Sequence, residues 1–150
     1  RYLWDELPRL QALVDKVLGV HGDRHPELVD IARCFSLIRA DIEPHLTKEE
    51  LVLFPAIQQL ADASADATFG FGSIGNPISM MLREHDDLGG LLRELRSLTD
   101  DYTPPADGCG SYTALFSGLE QVEADTHLHI HKENNVLFPQ VIELEQQRTS

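Results

Sequence analysis

Apolar residues along this chain recur at alternating steps of three and four, the spacing that lines one face of a packed helix. The first run is Leu3, Leu7, Leu10, Val14 and Val17. The second reads Ile31, Phe35, Ile38, Ile42, His45, Glu49, Val52 and Ala56, and the third Ile78, Met81, His85, Leu88, Leu92 and Leu95. The fourth reads Leu115, Leu119, Val122, Thr126, His129, Glu133 and Val136. No stretch alternates with a period of two. The pattern predicts an all-α protein: an antiparallel, up-down-up-down four-helix bundle.

The breaks agree with it. Gly22 and Asp23 with Pro26 separate the first helix from the second, and residues 103–110, rich in Pro and Gly, separate the third from the fourth. Both links are short, as antiparallel hairpins require. The middle link, Ser64 to Pro77, is longer than packing needs. Pro55 and Pro139 fall inside the second and fourth patterns, where each removes a backbone donor. Apolar residues continue past both (Ile57 and Leu60; Val141, Ile142 and Leu144), so kinked helices are expected rather than helix ends.

The seams carry five misplaced residues. His45, Glu49, His85, His129 and Glu133 stand where Leu or Val is expected. Four of them belong to a repeat: H-L-T-K-E-E-L-V-L-F-P from His45 to Pro55 returns as H-I-H-K-E-N-N-V-L-F-P from His129 to Pro139. A four-residue step stacks imidazole and carboxylate on one helix face. Two carboxylates and three imidazoles inside one bundle are costly unless something compensates them, and a metal does. All donors are N or O, and two carboxylates can each bridge two ions. This set suits a centre of two non-haem iron ions, with manganese as runner-up; zinc usually takes four ligands at one ion. The spacing differs from the E-x-x-H of ferritin-like bundles.

A sixth ligand is expected just before Arg1. At 1.5 Å per residue, the level on the first helix facing His45 is about residue 0 or 1. Aligning the two hairpins independently pairs His85 with the residue preceding Arg1. The chain opens without Met and already in helical pattern, so it reads as a piece of something longer. Of the other histidines, His21 continues the first seam but at the hairpin end, His25 falls at the start of the second helix, and His127 and His131 turn away from His129. Glu50 reads as surface, and Tyr2 as a candidate donor near the site.

Length and charge narrow the class. A chain of 150 residues, 42% hydrophobic, builds one globular domain. The formal net charge of −13 argues against a nucleic acid or an anionic membrane as partner. No run is long enough for a membrane span. Two cysteines outside any CxxC pair, Cys34 and Cys109, read as reduced thiols in a cytoplasmic protein.

At these motifs the chain resembles the hemerythrin-like HHE domain of the iron–sulfur cluster repair di-iron proteins (the RIC or ScdA family). The resemblance rests on Glu6 to Leu10, Val20 to Asp23, His45 to Pro55, Glu84 to Asp87, Thr103 to Pro105 with Cys109, and His129 to Pro139, and covers almost the whole chain. It implies a hemerythrin-like fold over residues 1–150 and an oxo- or hydroxo-bridged di-iron centre with two glutamate bridges. By position, His45, Glu49, His85, His129 and Glu133 match family ligands, and His21 matches a recurring histidine outside the site. The implied protein is a cytoplasmic one of nitrosative and oxidative stress. It would restore damaged iron–sulfur proteins by donating iron or handling nitric oxide. Two departures stand out: the helix 1 ligand would fall before Arg1, and the small cysteine-bearing N-terminal domain typical of the family is missing. The alternative is a hemerythrin-type carrier or sensor of O2. Such sites are richer in histidine, whereas Gly89 stands here where a second histidine of the third helix would be.

Overall fold

The computed structural model describes residues 2–62, 69 and 72–149, the side chain of Thr149 excepted. Helix α1 (Tyr2–His21) is followed by α2 (Glu27–Lys48), α3 (Phe54–Ala61), α4 (Gly75–Leu98), α5 (Gly110–Lys132) and α6 (Phe138–Thr149). Two π-helical turns, Glu49–Leu53 and Glu133–Leu137, join α2 to α3 and α5 to α6 without interrupting the helical path. The result is four rods in a bundle: α1 packs on α2 and α5, α2 on α4, and α4 on α5, while α3 pairs with α6 beyond them. Half of the expected long middle link, residues 64–68 and 70–71, lies outside the described residues.

The π turns explain how both helices survive their prolines. In a regular α-helix the ring of Pro55 would press on the carbonyl four residues back. Here the preceding turn is one residue wider: the Phe54 N–H donates to the Glu49 carbonyl five residues earlier, and the Phe138 N–H to that of Glu133. Widening a turn also displaces the seam just after it, although Ala56 stays buried where the pattern puts it. The sequence pattern puts Val52 and Val136 in the seam, but these are 43% and 50% exposed. The structure instead buries Leu53 in one copy and Phe138 with Val141 in the other. The shift begins at the motif glutamate in both copies.

The first and third seams match. Leu3, Leu7, Leu10, Val14 and Val17 are all buried, as are Ile78, Met81, His85, Leu88, Leu92 and Leu95. Among the described residues the apolar interior has two parts. The larger fills the bundle from Leu3 to Val17 on α1, with Phe35, Leu92, Tyr112 and Leu119 among its members. The smaller joins Leu53, Leu60, Ile78, Met81, Phe138 and Val141. His45, Glu49, His85 and Glu133 lie buried on the helices that run through both.

Close packing of α1 on α5 depends on Gly118. A methyl group there would sit 2.5 Å from Cδ2 of Leu10, a fully buried side chain that would have to shift. Gly118→Val is expected to cost about 1–3 kcal/mol through overpacking. Gly19→Ala, in the same pair of helices but with nothing within 4 Å, should be neutral or stabilising. Urea unfolding of the two variants checks the contrast; equal midpoints would contradict the close approach.

The far end of the bundle is tied by polar contacts. His25 bridges Glu27 (Nδ1–Oε1, 3.1 Å) and Asp107 (Nε2–Oδ1, 2.9 Å), fastening the α1–α2 turn to the α4–α5 loop. His21 Nε2 lies 3.2 Å from Cys109 Sγ, at the opposite end of α1 from the metal-type residues. Both cysteines are free thiols, Cys34 buried and Cys109 exposed.

Candidate metal centre

Four of the five sequence-derived ligands converge. His45 comes from α2, Glu49 from the π turn that follows, His85 from α4 and Glu133 from the second π turn. One donor atom from each lies within 4.8 Å of every other, and all four residues are buried. His45 Nε2 stands 2.9 Å from Glu49 Oε1 and 3.8 Å from Glu133 Oε1. His85 Nε2 stands 3.1 Å from Glu133 Oε1. The two imidazole Nε2 atoms face each other at 3.3 Å.

The outer nitrogens decide what those inner atoms are. His45 Nδ1 faces Glu84 Oε2 at 3.2 Å, and His85 Nδ1 faces Asn134 Oδ1 at 2.8 Å. Both partners are acceptors, so each Nδ1 carries a proton and donates. In the neutral rings both Nε2 atoms then present lone pairs, aimed at one another and at two carboxylates. Four acceptor atoms, one from each residue, gathered in one small space call for a cation. A further sign is Glu133 Oε2, buried without a hydrogen-bond partner. The residues fit a bound metal: inward N and O donors, outer hydrogen bonds that hold the rings, and a spare carboxylate oxygen for a second bond.

Protons are what the ion would displace. Burial alone would push the His45 imidazolium down, but Glu133, Glu49 and Glu84 outweigh it and raise the group to about 10. Burial, with Glu133 beside it, pushes Glu49 up to about 7 against the pull of His45. Burial also opposes ionisation of Glu133, yet hydrogen bonds from His45, His85 and Glu49 hold it well below the usual carboxylate range. One carboxylate of the pair thus takes the negative charge and the other resists it, as expected for like charges sharing a site.

The fifth expected ligand sits apart. His129 is exposed and outside the four-residue cluster, although its side chain lines the same cavity of about 20 Å³. Leu3, Leu88 and Thr126 line that cavity as well. Thr126 Oγ1 is a second buried polar atom without a partner. Tyr2 stands 38% exposed, with Glu6 and Asp125 as its acidic neighbours, and takes no part in the cluster. His127 and His131 are exposed, as expected from their phase. Glu50 is a surface group whose Oε1 accepts from Trp4 Nε1 at 3.0 Å.

Sequence reading missed Glu84, Lys48 and Asn134. Lys48 Nζ donates to Glu84 Oε1 at 2.6 Å, so Glu84 is held between a ligand imidazole and an ammonium. The available signal was adjacency: Glu84 precedes His85 and Asn134 follows Glu133. On a helix such neighbours sit about 100° off the seam, where polar residues normally read as solvated.

The family model for the hemerythrin HHE cation-binding domain matches residues 1–141. The chain belongs to this family. A protein of Musicola paradisiaca named iron-sulfur cluster repair protein YtfE is 41% identical over 138 residues, covering 92% of this chain and 58% of the relative. The Haemophilus influenzae protein named "Probable iron-sulfur cluster repair protein" is 39% identical over 138 residues, with the same two coverages. A YtfE of Dickeya chrysanthemi is likewise 39% identical, over 91% of this chain and 58% of its own length. The chain therefore spans somewhat over half the length of these relatives. The HHE family and the buried His–Glu cluster together support a metal site. No described helix is long and apolar enough to cross a membrane.

Proposed function

We propose that residues 1–150 form one di-metal domain that holds two non-haem iron ions and serves iron–sulfur cluster repair under nitrosative and oxidative stress. The observation that carries the reading is the pair of inward imidazole nitrogens, 3.3 Å apart, among two buried carboxylates with one oxygen orphaned. His45, Glu49, His85 and Glu133 would hold the first ion. The second carboxylate oxygens of Glu49 and Glu133, with His129, would reach the second. Iron bound there would supply one-electron chemistry and a seat for diatomic ligands such as NO and O2.

The chain's own residues suit delivery better than storage. Glu84 and Asn134 hold the His45 and His85 rings from behind. His129 lies at the exposed rim of a cavity large enough for about one water. An ion on that side is within reach of solvent and of an acceptor protein. Damaged iron–sulfur proteins are the proposed clients, by likeness to the repair proteins named above, and the cytoplasm is the proposed compartment.

The test is transfer. Full chain loaded with ferrous ion is mixed under anaerobic conditions with an apo cluster protein, sulfide and thiol, and cluster formation is followed optically. Faster formation than with the same amount of free iron is expected. Reversible O2 binding without any transfer would replace this reading with the carrier.

A further inference from the structure

The two ring-holding contacts behind the imidazoles are chemically unequal. Behind His45 stands a carboxylate: Glu84 accepts from Nδ1 at 3.2 Å. Its other oxygen takes Lys48 Nζ at 2.6 Å, so the carboxylate is fixed from both sides. Behind His85 stands a neutral amide, Asn134 Oδ1, at 2.8 Å. Both contacts fix the tautomer, with Nε2 free to bind. Only the carboxylate also pushes electron density toward Nε2 and adds negative charge next to a bound cation. The contact also spans helices, since Glu84 is on α4 and both His45 and Lys48 are on α2. It therefore fixes the distance between the two imidazole-bearing helices as well as the angle of one ring.

We propose that Glu84, pinned by Lys48, is a positioning residue for the ligand His45, and that its carboxylate tightens the hold on the divalent ion between His45 and His85. The proposal rests on the metal reading given above. It assigns the grip on that ion to a group that never touches it. Exposure of Glu84 is partial and that of Lys48 greater, so the contact reaches from the buried cluster to the surface.

Cobalt(II) titration of the full chain, read by its visible spectrum and by competition with a chelator, tests this. Glu84→Gln keeps an oxygen to accept from Nδ1 and removes the charge. It is expected to weaken the tightest cobalt step by about 10–100-fold. The unfolding temperature without metal should stay close to that of the parent, because a partly exposed ion pair contributes little. Asn134→Asp supplies the missing charge behind His85 and should tighten the same step. In the iron-loaded protein Glu84→Gln should raise the reduction potential and Asn134→Asp lower it. A purely structural Glu84 would give the opposite pattern: lower metal-free stability with cobalt affinity and potential unchanged. That result, or an Asn134→Asp that fails to tighten, overturns the proposal while leaving the metal reading intact. A parent chain that binds no cobalt overturns both.

Discussion

Glu133→Ala is expected to erase the effect of metal on stability. The parent chain should unfold at a higher temperature with ferrous ion than after chelation. With free ion about 1,000-fold above the dissociation constant, binding to the folded state alone contributes about 4 kcal/mol. For a chain of this size that is roughly 8–16 °C in Tm. Glu133 is the residue whose loss should abolish the gain. Its Oε1 lies 3.1 Å from His85 Nε2 and 3.8 Å from His45 Nε2, and its Oε2 has no other partner. Without it the inward donors fall to two rings and one carboxylate. The measurement is a pair of anaerobic melts, with and without ferrous ion. A variant that still gains stability from iron would mean that the ion sits elsewhere.

The second large effect comes from an asymmetry within the repeat. Phe54 and Phe138 occupy equivalent motif positions, but Phe54 is 37% exposed and Phe138 only 2%. Phe138 packs in the smaller apolar cluster and stacks on His85, with ring centroids 5.9 Å apart and planes 6° apart. Phe138→Ala should cost about 3–5 kcal/mol from the lost burial and the cavity left behind. It should also weaken metal binding, because one face of the His85 ring loses its support. Phe54→Ala, at an exposed position, should cost well under half as much. Denaturant unfolding and cobalt affinity of the two variants check this. Equal losses would contradict the difference in burial between the two copies.

The π turns mark where the sequence stopped being readable. The seams of α1 and α4 came straight from three- and four-residue spacing, because no widened turn falls within those helices. In the other two rods the spacing misplaces Val52 and Val136, just past Glu49 and Glu133, and leaves His129 exposed, although Ala56 is buried where the pattern puts it. A hydrophobic pattern assumes a constant turn width, and Pro55 and Pro139 announced a disturbance without saying how it would be absorbed. The choice of Leu53 over Val52, and of Phe138 over Val136, depends on which way a widened turn rotates the chain. His45, Glu49, His85 and Glu133 were legible because a polar group in an apolar seam is conspicuous. Glu84 and Asn134 were not, because a polar group beside a seam is ordinary. Their role appears only when α4 is laid against α2 and against the turn after α5. His129 shares the motif of His45, yet the two copies differ in exposure, which no repeat in the letters reveals.

Metal content of the isolated full chain tests the central claim most directly. The protein is produced in iron-replete cells, purified without chelator, and measured by elemental analysis beside Glu133→Ala prepared in the same way. Iron approaching two ions per chain in the parent, and lost from the variant, is the expected result. A parent that carries a single tightly bound zinc, or iron that survives removal of Glu133, would contradict it.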